Sequence, residues 1–353
     1  MKIQSATKTY DVNIHNDFAP VKALEMDEKT FVVIDKTLYE LYREELFSNI
    51  PEKQLYILEA TENNKVVDTA LEICGIMTEI SAKRNTRLIS FGGGIVQDVT
   101  GFVANVLYRG IHWTFFPTTL LAGCDSCIGG KTSLNYKKFK NLLGTFYPPD
   151  EIHVCTPFFK TLSEGDFKSG LGEVVKFNVM QKEEGVANME AHLDQLLNRD
   201  EAVLQRFVES SLAFKKNFIE VDEFDRGERI KLNFAHTFGH AFETVSNYAI
   251  PHGTAVAMGT IVANRISEKR GWLDESIVRR MENVLLPIIP VKGDALHFEM
   301  ADILSAIHKD KKQVSSSLTA VLMKGKEMEL QIVSDVTEEE ISEAMNYLFG
   351  ILK

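Results

Sequence analysis

The sequence predicts an α/β domain with a mostly parallel sheet followed by a mostly α-helical domain, and three observations carry that prediction. Short apolar runs at Thr30–Ile34, Gln54–Leu58 and Arg87–Phe91 have the length and composition of buried strands. Between the last two, Asn64–Ser81 has helical spacing, the βαβ alternation that builds a parallel sheet. From about Phe158 the texture changes to long amphipathic helices, at Ser169–Met180, Ala202–Asp222, Ala235–Ser246 and Ala255–Arg270. The boundary therefore falls near residue 155, giving domains of 1–155 and 156–353. Near the end, Ser317–Met323 and Met328–Val333 flank Lys324-Gly325-Lys326 as a hairpin. Thr337 and Glu340 then have the spacing of a capping box opening a last helix.

Composition bounds the function. The chain has 353 residues, 44% hydrophobic and 25% charged, with no apolar run long enough for a bilayer span. Its start, MKIQSATKTYDVNIH, lacks the basic and apolar regions of a targeting peptide, so none is expected, and cysteines read as free thiols make the cytoplasm the expected compartment. A net charge of -11 argues against a broad nucleic-acid surface, yet leaves room for a local cationic pocket for a small anion. Cys124 and Cys127 form a C-x-x-C inside an apolar segment; with no second such pair, they are expected to be buried thiols.

Three clusters carry chemistry. Gly92-Gly93-Gly94 follows a predicted strand directly, where glycines let backbone approach a pyrophosphate and a helix N-terminus offers free N–H groups. Such a run also serves ordinary strand-to-helix turns, and the spacing is not G-x-G-x-x-G. Asp98 and the strand-end Asp35 add carboxylates of the kind that bind a ribose hydroxyl.

The second cluster is His236, His240 and His252, three of the nine histidines within 17 residues. The first two share a helix face at i, i+4, and His252 follows a break marked by Pro251 and Gly253. Scattered core histidines are the bland alternative. Glu173, in GLGEVVK, completes a Glu-His-His set suited to a catalytic zinc. The third cluster spans DSCIGGKTSLNYKKFKNLLGTFYPP, where Lys131, Lys140 and Asn141 on a glycine-containing loop suit a phosphate.

Together these stretches resemble 3-dehydroquinate synthase and its sugar-phosphate cyclase relatives. The likeness runs from Asp35 to Lys312 through GGG-x-x-x-D, YRG, PTTLLA, DS-x-x-GGKT, KNL-x-G-x-FYPP, GL-x-EVVK, R-x-x-LN-x-x-HTFGHA, HG-x-AVA and DKK. The resemblance implies a Rossmann-like NAD-binding domain, a helical metal- and substrate-binding domain, and a homodimer. It implies zinc, or cobalt in its place, on Glu173, His236 and His252. It assigns NAD contacts to Asp35, Glu62, Lys65, Gly93, Gly94, Asp98, Thr118, Thr119 and Lys140. A phosphorylated sugar-acid substrate would meet Lys131, Asn141, Asn233, His240 and Lys311 or Lys312 at its phosphate, with Arg109 reaching the partner subunit's substrate. Asp125 and Lys176 would address ring hydroxyls, Asp225 would stand near the substrate, and Lys215 and Arg229 would bind a carboxylate. Asp125, Lys131, Lys176, Asn233 and His240 form the implied catalytic group.

The implied reaction turns 3-deoxy-D-arabino-heptulosonate 7-phosphate into 3-dehydroquinate by transient oxidation, phosphate elimination, reduction and intramolecular aldol closure. Gln97, Phe139, Ala235, Thr254 and Asp225 depart from the family pattern, which leaves open a cyclase acting on sedoheptulose 7-phosphate or glucose 6-phosphate. A metal-dependent polyol dehydrogenase is the further alternative, and a non-catalytic descendant would be expected to have lost a ligand or Lys176.

Overall fold

The computed structural model describes residues 1–80, 83–137, 139–291, 298–309 and 318–353. The chain forms two compact units: Met1–Leu162 with Leu204–Leu212 and Ile219–Phe224, and Ser163–Val203 with Ala213–Phe218 and Asp225–Lys353.

The first unit is built on a seven-stranded sheet. Its strands are β1 (Lys2–Gln4), β2 (Thr9–His15), β3 (Thr30–Asp35), β4 (Leu55–Leu58), β5 (Arg87–Gly92), β6 (His112–Pro117) and, later in the chain, Glu151–Cys155. A separate antiparallel hairpin intervenes, β7 (Lys131–Tyr136) and β8 (Phe139–Phe146), which makes Glu151–Cys155 β9. The order is β1-β2-β9-β6-β5-β3-β4, parallel throughout except for β1 against β2. Phe31, Val32, Val33 and Ile34 are all 0% exposed, as a parallel strand covered on both faces requires.

Helices α1 (Ala19–Lys22), α2 (Lys36–Tyr42), α3 (Val67–Glu79) and α4 (Gly94–Val106) also belong to this unit. α4 starts immediately after β5, with Gly93 as its N-cap. It lies close against its neighbours: a Cβ on Gly101 would stand 2.5 Å from Thr132 Cγ2 and 3.1 Å from Trp113 Cη2.

The second unit holds α5 (Glu164–Val179), α6 (Lys182–Leu197) and part of α7 (Glu201–Val221). It continues with α8 (His236–Val245), α9 (His252–Lys269), α10 (Glu275–Leu285), α11 (Met300–His308) and α12 (Glu338–Ile351). The hairpin is present as β10 (Leu318–Lys324) and β11 (Glu329–Val336), turning through Gly325 at φ 79°. Among the described residues no helix is long and apolar enough to cross a membrane.

Two expectations change. The stretch carrying Lys131 and Asn141 is the β7–β8 hairpin rather than a loop, because Thr132 and Leu134 turn inward (3% and 0% exposed) and create a strand period. Pro251 is the N-cap of α9, with His252 its first residue, so Gly253 lies inside the helix rather than breaking the chain. Its role is close approach: a Cβ there would meet the Ser169 carbonyl oxygen of α5 at 1.7 Å.

The capping box at α12 is also an ion-pair site. Thr337 N donates to Glu340 at 2.9 Å, and Glu340 receives Arg270 Nε at 2.6 Å and Nη2 at 2.8 Å. The Arg270 bond, against partial burial, holds the Glu340 carboxyl below its ordinary value. A depressed carboxylate stabilises the fold fully above the unfolded value, about pH 4.3, and that contribution is lost as pH falls through the lower folded value. Glu340→Gln is expected to cost about 1 kcal/mol at pH 7, allowing for solvent screening. The gap from wild type should narrow in urea denaturation as pH drops below about 4.

Candidate functional site

In the first unit the chain runs from β3 outward to β4, then returns to place β5 on the other side of β3. The order of a doubly wound sheet thus reverses between β3 and β5, and crevices at such reversals, beyond the carboxyl ends of the strands, bind ligands. Asp35 ends β3 and Gly92 ends β5. Asp35 also caps α2, accepting from Leu38 N at 3.0 Å. The glycine turn is held close: a Cβ on Gly93 would be 2.9 Å from Thr119 Cγ2, and Thr118 N donates to Gly92 O at 2.9 Å. Thr119 Oγ1 in turn accepts from Ala122 N at 3.2 Å.

A polar cluster joins α4 to the β7–β8 hairpin. The Asp98 carboxylate is ion-paired to Lys65 and accepts from Ser133 N at 2.9 Å and Ser133 Oγ at 3.1 Å. Burial pushes its carboxyl pKa up, while Lys65 and Ser133 pull against that. Lys65 Nζ also donates to Asn141 Oδ1 at 2.7 Å, so Asn141 joins the group expected at the nucleotide. Asn135 ties in Glu62 at 2.8 Å and Asn141 N at 3.0 Å, with Lys140 Nζ 3.4 Å from Glu62. Ser133 and Asn135 lack any sequence signal beyond their place in the hairpin. Asp125 lies in the π-helical turn Ala122–Ser126, while Lys131 opens β7 and Arg109 ends the short turn Leu107–Arg109; both cations are exposed.

In the second unit α5, α8 and α9 bring Glu173, His236 and His252 together. Their ligand atoms lie within 4.8 Å of one another. Glu173 is 0% exposed, and neither carboxylate oxygen makes a geometrically sound hydrogen bond. Three nitrogens surround it instead: the Lys176 ammonium Nζ at 2.6 Å and the imidazole nitrogens His252 Nε2 at 3.2 Å and His236 Nε2 at 3.6 Å. Desolvation would raise the Glu173 pKa, but Lys176 and the two histidines hold it well below the carboxylate range. Against its own desolvation, His252 is pushed up to about 10 by Glu173 and Glu243. Buried oxygens without hydrogen bonds, beside two imidazoles, form a donor set that fits a divalent cation.

His236 Nδ1 lies 3.0 Å from Phe234 O, an acceptor that fixes the ring's tautomer. The ring centres of His236, His240 and His252 are 5.3–6.1 Å apart. Lys176 is 1% exposed and donates to Leu232 O at 3.3 Å. Buried Arg229 lies in the turn Glu228–Asn233, which Asn233 ends. Lys215 is buried on α7, and Asp225 has φ 58°. Lys311 and Lys312 lie outside the described residues. Sequence reasoning missed Glu243, whose Oε2 is 3.2 Å from His252 Nδ1. Its signal was its place on the His236/His240 face of the helix, seven residues past the first and three past the second.

Comparisons with known proteins show the family of the chain. The 3-dehydroquinate synthase N-terminal family model matches residues 55–169 and the C-terminal one residues 170–313. A 3-dehydroquinate synthase of Clostridium tetani is 37% identical over 325 residues, 91% of this chain and 86% of that protein. The enzyme of that name from Dictyoglomus thermophilum is 35% identical over 90% of this chain and 88% of its own. Among solved structures, a 2-epi-5-epi-valiolone synthase from Streptomyces hygroscopicus subsp. jinggangensis 5008, with NAD+ and Zn2+ bound, superposes with TM-score 0.83. It is 22% identical, covering 97% of both chains. A glycerol dehydrogenase from Schizosaccharomyces pombe superposes at 0.65 and 12% identity, covering 97% of this chain and 89% of its own. At these identities the structures establish the fold.

His252→Ala is expected to abolish zinc binding, measured by chelator competition, while leaving the circular dichroism spectrum unchanged. Gly253→Ala is expected to destabilise by about 1–3 kcal/mol through overpacking and to weaken zinc binding, because the added methyl displaces the turn that begins with His252.

Proposed function

The chain belongs to the 3-dehydroquinate synthase family, and from that premise we propose that it converts 3-deoxy-D-arabino-heptulosonate 7-phosphate to 3-dehydroquinate and phosphate. The observation that carries this reading is buried Glu173 with the half-buried His236 and His252 gathered on it and Lys176 Nζ 2.6 Å away. When bound, NAD supplies a hydride acceptor restored within the same turnover, and zinc, or cobalt in its place, supplies Lewis acidity at the carbinol being oxidised.

In this reading Gly93, Gly94, Thr118 and Thr119 receive the dinucleotide beside Asp35, and the Asp98–Lys65 pair with Glu62 and Lys140 keeps that region preorganised. Lys176 and Asp125 orient ring hydroxyls. Lys131, Asn141, Asn233, His240 and a lysine at 311 or 312 neutralise the phosphate that leaves, and Arg109 serves the partner subunit's substrate in a homodimer. Lys215 and Arg229 take the substrate carboxylate, with Asp225 nearby. Fixed donors of this kind lower the barrier through positioning and charge stabilisation, without needing strong acids. The buried cations Lys215 and Arg229 favour an acid substrate over sedoheptulose 7-phosphate or glucose 6-phosphate, neither of which has a carboxylate.

The direct test is phosphate release by zinc-loaded protein with NAD and the heptulosonate phosphate, with product identified by mass and NMR. Release with 3-dehydroquinate formed and no net NADH is expected. Turnover of only a carboxylate-free sugar phosphate would move the chain to a sister cyclase, and stoichiometric NADH would make it a dehydrogenase. Arg229→Ala is expected to raise KM for the substrate at least tenfold with a smaller change in kcat, by loss of a charge-assisted pair.

A further inference from the structure

The two histidines of the metal set are aimed at Glu173 by different means. His236 Nδ1 faces the Phe234 carbonyl oxygen at 3.0 Å. A carbonyl only accepts, so Nδ1 carries the proton and the lone pair lies on Nε2, the nitrogen 3.6 Å from Glu173 Oε1. His252 presents the same atom, Nε2, to Glu173 Oε1 at 3.2 Å, but its Nδ1 meets a carboxylate, Glu243 Oε2, at 3.2 Å.

We propose that Glu243 is a positioning residue that fixes the tautomer and ring orientation of His252 for a divalent cation held by Glu173, His236 and His252. The proposal rests on the metal reading above. A carboxylate on the far nitrogen does two things: it locks the ring plane and makes the ligating nitrogen a stronger donor. Glu243 lies two turns into α8, the helix that His236 opens, so one helix supplies one ligand and orients another carried by α9. Thr254, two residues beyond His252, does not supply that support: it ends in a hydroxyl whose Oγ1 is buried and has no hydrogen-bond partner among the described residues.

The donor atoms of His240, Glu243 and His252 also lie within 4.8 Å of one another, so Glu243 as a ligand in its own right is the competing arrangement. A pair of variants separates the two. Glutamine keeps a side-chain carbonyl that accepts from Nδ1–H but loses the charge, whereas alanine removes the contact altogether.

The experiment is zinc affinity of the full chain by chelator competition, on wild type, E243A, E243Q and H252A, with kcat and KM measured at saturating zinc. E243A is expected to bind zinc about 10–100-fold more weakly, and E243Q to recover most of that loss. KM for NAD should not change in either. If E243A misfolds by circular dichroism, the E243Q affinity alone decides, because a positioning role predicts a loss well below tenfold. E243A binding as tightly as wild type, while H252A loses zinc, would overturn the proposal and leave the metal reading standing. A tenfold or greater loss in E243Q, equal to that of E243A where that variant folds, would overturn it in favour of direct ligation. Zinc binding retained in H252A would overturn the metal reading itself.

Discussion

Backbone-to-backbone contact between helices, possible only at glycine, sets the geometry of the second unit. A Cβ on Gly172 of α5 would stand 2.0 Å from the Gly253 carbonyl oxygen, and one on Gly253 of α9 would stand 1.7 Å from that of Ser169. α8 meets α9 the same way, since a Cβ on Gly259 would fall 2.4 Å from Ala235 O and 2.8 Å from Gly239 N. Glu173 follows Gly172, His252 precedes Gly253, and His236 follows Ala235. Each ligand therefore sits beside a point where two helices touch with no side chain between them. That is why a carboxylate and two imidazoles from three helices converge within 4.8 Å.

Convergence has an electrostatic cost that the same residues offset. A carboxylate at 0% exposure is strongly disfavoured alone, and Lys176 at 2.6 Å provides the nearest compensating charge. Lys176 is itself 1% exposed, so the pair is mutually dependent, and its strength reflects the low local dielectric. Ala235 shows a smaller cost. It holds φ 70° at the N-cap of α8, a left-handed conformation unfavourable for a residue with a Cβ by about 1–2 kcal/mol. The resulting turn aims His236 Nδ1 at Phe234 O. The first unit uses the same device in a milder form: Asp98, desolvated against Lys65, ties α4 to the β7–β8 hairpin through Ser133.

Much of this was legible in the chain. β3 and β5 were readable because a strand buried on both faces must be mostly apolar, and Phe31–Ile34 is so throughout while Leu88–Phe91 has Ser90 as its one polar residue. The histidine cluster was readable as a candidate because i, i+4 spacing on one helix face needs no tertiary information. That spacing pairs His236 with His240, whereas the atoms gathered around Glu173 are those of His236 and His252, a grouping that only the family resemblance implied. The hairpin was not readable, since the polar and glycine residues around Lys131 and Asn141 carry turn propensity that a single inward pair, Thr132 and Leu134, overrides. Gly253 looked like a chain break because propensity treats glycine as a helix breaker, whereas here close approach of α5 decides.

The sequence by itself determined the alternation of strands and helices, the glycine turn after β5, and the kinds of ligand available, because these depend on local periodicity and side-chain chemistry. The tertiary structure decided which carboxylate stands behind which imidazole, that Asn141 joins Lys65 and Asp98, and that stretches of α7 pack with the first unit. Those pairings join residues distant in sequence, as between Lys65 and Asn141, or on separate elements, as between Glu243 and His252. Their distances are fixed by how closely backbones pack, a quantity that no local pattern encodes.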